Sequence, residues 1–253
     1  TSEFGNIDLD TAGTITVGEV VESLTGSVDI TANGAGAVVN VGANVSGDDV
    51  TIEAIDAAGG SVLKVTAVTE NAVGSTTLNA DDGTLDIDFN VTAHESLLLQ
   101  ADTNILLAAN LQADDSITVE DGLEVVASSI ITADDGDVSF GSTVTAGISL
   151  DVNAGDPVTF GGNVTVLNDL TVNAATLHTD TNIINVGNDL LLGGTNAVEI
   201  DGEASVFTVT FGDIVFNANG TVDAAAGTET LQLVTTAGNV RCWGRNTEGQ
   251  LGR

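Results

Sequence analysis

A period of about twenty residues constrains the fold of this chain more than any other feature of its sequence. From Val91 to Ile200, apolar residues recur at steps of 19 to 21 positions, and within each block they alternate with polar residues, as in Leu150-x-Val152 and Val164-x-Val166. Alternation at every second position indicates β-strands, and self-similarity at a fixed period of this size indicates a stacked repeat. The chain is therefore predicted to wind into successive coils.

Three apolar columns predict three sides for each coil. The first column is Val91, Leu111, Ile131, Leu150, Leu170 and Leu190; the second is Ile105, Val125, Val144, Val164 and Ile184; the third is Leu97, Ile117, Val138, Val158, Leu177 and Val198. Parallel strands of successive coils would then hydrogen-bond along the long axis. The predicted fold is all-β: a parallel β-helix, or β-solenoid, with three short strands in each coil of about twenty residues.

The same period continues on both sides of this stretch, so residues 5–235 are predicted to form the solenoid. Its first coils are Ile7-x-Leu9, Val28-x-Ile30 and Val50-x-Ile52 on one side, Ile15-x-Val17 and Val39-x-Val41 on the second, and Leu24 and Val45 on the third. The period breaks between Ile52 and Leu78, which predicts a protruding loop or an extra β-excursion near residues 57–75. Residues 1–4 are interpreted as a tag or linker.

The charge balance excludes several classes of partner. The chain has 37 acidic and four basic residues, for a net charge of −33. Nucleic acids and anionic membrane surfaces are poor partners because both require Lys and Arg. The sequence has no run of 18 consecutive apolar residues, so membrane insertion is not predicted. Such a charge instead favours solubility, self-repulsion and the binding of cations.

A row of carboxylates at one corner is the candidate site. The pairs His94-Glu95, Asp114-Asp115 and Asp134-Asp135 follow one another at steps of twenty positions, and Asp156 comes next. The candidate ligands are Glu95, Asp114, Asp115, Asp134, Asp135 and Asp156. If the coils stack, these carboxylates lie about 5 Å apart and repel one another. Ca²⁺ takes carboxylate oxygens and would relieve that repulsion. The row is predicted to hold weak calcium sites; a solvated edge that keeps the rod soluble is the simpler alternative. Asp48-Asp49 and Asp81-Asp82 are interpreted as turn residues.

The sequence does not predict an enzyme, and no cofactor is required. The two histidines, His94 and His178, fall far apart in the predicted stack, and Lys64 is the only basic residue before Arg241. Acid–base catalysis on polysaccharides usually combines carboxylates with such groups. A hydrolase that uses paired aspartates alone remains an alternative.

Coils such as Leu170-Thr-Val-Asn-Ala-Ala-Thr176 and Asp189-Leu-Leu-Leu-Gly-Gly194 resemble those of the filamentous-haemagglutinin and autotransporter-adhesin class. The resemblance covers residues 5–235 and implies a right-handed parallel β-helix. It also implies an extracellular or cell-surface bacterial rod that serves in adhesion, matrix or filament building. The partners it implies are further copies of the chain, cell-surface or matrix components, and glycans. Two alternatives remain open: a self-assembling extracellular filament subunit, and a carbohydrate-binding or carbohydrate-cleaving β-helix.

The last segment, residues 236–253, differs from the repeat. Cys242-Trp243-Gly244, followed by Asn246-x-x-Gly249-Gln250-Leu251-Gly252, resembles a signature of the regulator-of-chromosome-condensation propeller repeat. One such segment cannot form a propeller, because a propeller needs several blades, each of about fifty residues. The segment is interpreted as the start of a following domain in a longer chain.

Overall fold

The structure is a computed structural model that describes residues 5–67, 69–70, 73–179, 182–194, 198–201, 206–211, 213–218, 222–224, 232–235 and 240–242. The proposed tag at residues 1–4 and the motif around Trp243 lie outside the described residues. Every regular element in the described ranges is a β-strand. Across these ranges no helix has the length and apolar character needed to cross a membrane.

The chain forms a parallel β-solenoid with about 21 residues per turn, and the predicted fold class is confirmed. Thirty-three strands in the described ranges, numbered in chain order, make up its sides. Sheet 1 contains β1 (Ile7–Thr11), β4 (Val28–Asn33), β7 (Val50–Ile55), β10 (Thr76–Asp81), β13 (Leu97–Ala101), β16 (Ile117–Val119), β19 (Val138–Phe140), β22 (Val158–Phe160), β25 (Thr176–His178), β28 (Val198–Asp201) and β31 (Val222–Ala224).

Sheet 2 contains the strand that follows each strand of sheet 1. Its members are β2 (Thr14–Val17), β5 (Val38–Val41), β8 (Val62–Val65), β11 (Thr84–Ile87), β14 (Asn104–Leu107), β17 (Leu123–Val125), β20 (Val144–Ala146), β23 (Val164–Val166), β26 (Ile183–Val186), β29 (Val206–Val209) and β32 (Gln232–Thr235).

Sheet 3 closes each coil. Its members are β9 (Thr69–Glu70), β12 (Val91–Ala93), β15 (Leu111–Ala113), β18 (Ser129–Ala133), β21 (Leu150–Ala154), β24 (Leu170–Asn173), β27 (Leu190–Gly194), β30 (Ile214–Ala218) and β33 (Val240–Cys242). Two short strands, β3 (Val21–Glu22) and β6 (Val45–Ser46), pair with each other and provide the third strand of the first two coils. Below, corners 1–2, 2–3 and 3–1 are the turns that join the sheets so numbered.

Alternation of the side chains places the core inside the coil. After the first coil, most inward residues of all three sheets are almost completely buried, whereas most of the residues between them are half-buried or exposed. Each inward side chain packs on its equivalent one coil away, as in the stacked rings of Phe140 and Phe160, whose centroids lie 5.1 Å apart. Burial of one such Val, Leu or Phe stabilises the fold by about 1.5–3 kcal/mol. The interior is therefore filled by the chain's own side chains.

The register differs from the predicted columns by two residues at several positions. Ile131 pairs with Val152 rather than with Leu150, which pairs with Ser129. Likewise Ile105 pairs with Leu123 rather than with Val125. A shift of two residues keeps the same side of a strand facing the core, so apolar alternation alone cannot detect it.

Two further members of the predicted columns are replaced at the ends of the array. Leu177 pairs with Ile200 rather than with Val198. In the first coil Val21, not Leu24, pairs with Val45, and Leu24 is 55% exposed.

Strands of the solenoid run through the central part of the excursion predicted near residues 57–75. Val62–Val65 form β8, which pairs in parallel with β5 on one side and β11 on the other. Thr69 pairs with Val91 in sheet 3. The additional length is taken up partly at corner 1–2, where Gly59 and Gly60 both have positive φ angles. These strands therefore lie in the solenoid rather than in a separate loop.

Candidate functional site

The acidic row predicted from the sequence lies at corner 3–1. The backbone stacks there from coil to coil: Asp115 N–H donates to the Glu95 carbonyl at 3.0 Å, and Asp135 N–H donates to the Asp114 carbonyl at 2.7 Å. One coil later, Asp156 N–H donates to the Gly136 carbonyl at 3.0 Å. The predicted residues thus do occupy one corner of four successive coils.

The side chains of this row are not gathered into a compact set. Five of the six candidate ligands are exposed, and only Asp114 is half-buried. Asp114 Oδ2 lies 2.6 Å from His94 Nδ1, and Asp134 Oδ2 accepts a hydrogen bond from Gln112 Nε2 at 3.3 Å. Their partners are therefore neighbouring side chains, and calcium binding by the row remains a prediction.

The one group of three metal-ligating side chains found among the described residues lies instead at corner 1–2. Oxygens of Asp81, Asp82 and Asp102 lie within 4.8 Å of one another. Asp82 has a left-handed backbone (φ 57°), and its carbonyl accepts the N–H of Gly60 at 2.8 Å. Three carboxylates at this spacing have the chemistry to share a proton or to face a hard cation.

Within this group, the pKa of Asp82 is raised above its ordinary value. Desolvation is the largest cause that raises the pKa of Asp82, followed by the negative charges of Asp81 and Asp102. The sequence interpretation assigned Asp81-Asp82 to a simple turn and did not include Asp102. The twenty-residue step from Asp82 to Asp102 was the signal that could have joined them, because it equals one coil.

Asp56, at the same corner, has a structural role. It is 3% exposed, and its carboxylate accepts the N–H of Gly36 in the preceding coil at 2.6 Å and that of Ala58 at 2.9 Å. These two backbone hydrogen bonds lower the pKa of Asp56. The carboxylate therefore remains ionised and joins two coils.

Lys64 is held as a cation. Its Nζ lies 2.5 Å from Asp86 Oδ2 and 2.9 Å from Asp88 Oδ2 on sheet 2. Hydrogen bonds to these two carboxylates raise the pKa of Lys64, which opposes any role as a nucleophile. The histidines also lie apart, with His94 at a corner beside β12 and His178 in β25 of sheet 1.

Two surface grooves among the described residues lie on or beside sheet 3. One crosses corner 3–1 and is lined by Thr132, Asp134, Asn153 and Asn173 together with small residues. Asn173 Nδ2 donates to Asn153 Oδ1 at 2.7 Å, so successive coils present a row of amides. The other groove lies on sheet 3 and is lined by Asp151, Thr171, Leu191 and the aspartates that precede β24, β27 and β30.

Comparison with known proteins adds no relative. No protein-family model matches the chain, and no curated protein or solved structure matches it. What is shown is the parallel β-solenoid fold itself.

Proposed function

We propose that this chain is a structural or adhesive rod segment of a large bacterial protein that is secreted or displayed at the cell surface. The observation that carries the proposal is the continuity of the solenoid: within the described part of the chain, two sheets of eleven strands and one of nine run along the same axis. Such an array holds its two ends apart and presents long, regular faces. Its role would be non-catalytic.

The distribution of side chains supports a scaffold. Most inward positions are filled by aliphatic residues and phenylalanines, whereas outward positions and corners carry most of the polar residues. A net charge of −33 favours the solubility of such rods. The resemblance of the coils to the filamentous-haemagglutinin and autotransporter-adhesin class, with its right-handed helix, is consistent with the same role. Residues 236–253, interpreted as the start of another domain, would place the rod within a longer chain.

The partners that we propose are cell-surface or matrix components, glycans and further copies of the chain. The purified chain should bind immobilised matrix proteins or whole cells in a saturable manner and should leave polysaccharides uncleaved. Analytical ultracentrifugation over a range of concentrations would test self-association in parallel. Robust release of reducing ends from a polysaccharide panel would contradict the non-catalytic role.

The groove at corner 3–1 favours carbohydrate as a second candidate partner. Its amide and carboxylate groups can hydrogen-bond sugar hydroxyls, and the small residues between them leave room for a ring. Exchanging Asn153 and Asn173 for Ala should abolish binding on a glycan array. The matched control changes Asn79, an outward amide on sheet 1, to Ala. Equal glycan binding by the unmodified chain, the variant at Asn153 and Asn173, and the Asn79 control would contradict carbohydrate binding in this groove.

Calcium binding by the acidic row is retained as a proposal. Asp134→Asn together with Asp135→Asn should lower Ca²⁺ uptake measured by titration calorimetry, since carboxylates are preferred ligands. The matched control is Asp48→Asn with Asp49→Asn, which removes the same charge from the same corner, two coils before the row begins. Identical Ca²⁺ isotherms for the two variants and the unmodified chain would contradict the proposal.

A further inference from the structure

Corner 2–3 carries two ladders that make the same hydrogen bond with different chemistry. In the asparagine ladder (Asn90 and Asn110), Asn110 N–H donates to Asn90 Oδ1 at 3.0 Å and Ile130 N–H donates to Asn110 Oδ1 at 2.9 Å. In the aspartate ladder (Asp169 and Asp189), Asp189 N–H donates to Asp169 Oδ1 at 3.1 Å and Asp213 N–H donates to Asp189 Oδ1 at 2.8 Å. Each bond joins a side chain to the backbone of the next coil.

The bonds of the aspartate ladder also hold its charges in place. Asp169 accepts further hydrogen bonds from Asn188 Nδ2 at 2.6 Å and from Ser149 Oγ at 3.3 Å. Its carboxylate therefore cannot rotate away from that of Asp189 without losing these partners. Successive coils lie about 4.8 Å apart, a distance at which two unit charges repel even in water.

We propose that the aspartate ladder makes the stacking of these coils depend on ionic strength. The same carboxylates form the bonds that join the coils and supply the charge that separates them. Dilute electrolyte leaves the repulsion unscreened, because the screening length is about 30 Å at 0.01 M salt. The screening length falls below the spacing of the coils only near 1 M, where it is about 3 Å. Added cations relieve the repulsion and leave the hydrogen bonds intact. The asparagine ladder has the bonds without the charge, so its coils do not respond.

Hydrogen exchange on the intact chain tests this device, because exchange reports local opening. The backbone amides of Asp189 and Asp213 should become more protected as NaCl is raised from about 0.01 M to about 1 M at constant pH. Those of Asn110 and Ile130 should change little, which makes the asparagine ladder an internal reference. KCl should act like NaCl at equal concentration. An equal response of the two ladders, or a response to only one of the two salts, would overturn the proposal.

Three variants separate the ladder from the general charge of the chain. Asp189→Asn retains an Oδ1 acceptor for Asp213 N–H and removes the charge, so the salt response at Asp213 should disappear. Asp151→Asn removes the same charge on sheet 3, where its register neighbours Ile130 and Thr171 are uncharged, and should retain the response. A chain with both Asn90→Asp and Asn110→Asp should gain a response at Ile130.

A full salt response in Asp189→Asn, or none in the doubly charged chain, would show that the ladder is not the cause. Since the double variant acts in other coils, it keeps the test open if Asp189→Asn fails to fold. The readout involves no binding partner, so its result is independent of the adhesive role.

Discussion

Two threonines place hydroxyl groups where the repeat calls for apolar side chains. Thr69 and Thr76 are 0% exposed, and neither Oγ1 has a hydrogen-bond partner. Thr76 occupies an inward column between Val50 and Leu97, and Thr69 is aligned with Val91. A buried hydroxyl without a partner costs free energy that an isosteric methyl group does not.

Thr76→Val should therefore increase the free energy of unfolding by about 1 kcal/mol. Chemical denaturation followed by circular dichroism would measure the change. Thr77→Val is the control, because Thr77 is the half-buried outward neighbour and its substitution should change stability by less than about 0.5 kcal/mol. Destabilisation by Thr76→Val would show that the hydroxyl has a role that the packing does not reveal.

The carboxylate cluster at corner 1–2 predicts a dependence on pH. Because the pKa of Asp82 is raised in the folded state, folding takes up a proton in the window just above the ordinary value of 3.8. Stability associated with this group should therefore rise as the pH falls through the raised pKa. Relative to the unfolded chain, the fold disfavours the ionised form of Asp82.

Asp82→Asn should raise the melting temperature at pH 7, since Asn also tolerates the left-handed backbone and carries no charge. The advantage over the unmodified chain should shrink as the pH is lowered, because protonated Asp82 is then also neutral. Asp10→Asn, whose register neighbour Thr31 is uncharged, controls for loss of a charge. If the difference in melting temperature between Asp82→Asn and the unmodified chain stays constant from pH 4 to pH 7, this assignment is wrong.

At the scale of the element, the local geometry of a corner determines whether a glycine there can be replaced by a residue with a side chain. Gly147 and Gly187 occupy the same position of corner 2–3, two coils apart, and neither has a positive φ angle. A Cβ at Gly187 would overlap the carbonyl oxygen of Leu167, whereas a Cβ at Gly147 would meet nothing within 4 Å. Glycine is required at only one of them.

Gly187→Ala should lower the free energy of unfolding by about 1–3 kcal/mol, because the backbone of the preceding coil must move. Gly147→Ala should have little effect and serves as the matched control. Thermal unfolding of the two variants side by side would measure the difference. A similar loss in both would indicate a general effect of alanine at this corner.

Much of the whole architecture could be predicted because one pattern repeats along the chain. Period and alternation together specify strands, their inward faces and parallel stacking, and these predictions are confirmed. The exact register could not be predicted, since Ile131 can stack on Leu150 or on Val152 with the same face inward. Apolar patterning cannot distinguish registers that differ by two residues. The lengths of the corners determine which of these registers forms.

The candidate site was less predictable than the fold. The residues of the acidic row lie at one corner, but the orientation of their side chains spreads the carboxylates among neighbours such as Gln112 and His94. The tighter group forms at Asp82 because a left-handed residue and a neighbouring coil bring three carboxylates together. The backbone angle of Asp82 and the geometry of its corner cannot be inferred from composition or from the spacing of residues.

Stacking at a fixed period also bears on how quickly the chain can reach its native state. Although every described element is a strand, partners in adjacent coils are separated by only about 21 residues of a 253-residue chain. The corresponding relative contact order is about 0.08, within the range of helical bundles at about 0.07–0.12 and below that of β-sandwiches at about 0.16–0.22. Stopped-flow refolding should therefore be faster than for a β-sandwich of similar length. Loop closure between neighbouring coils, rather than between distant parts of the chain, would set the rate.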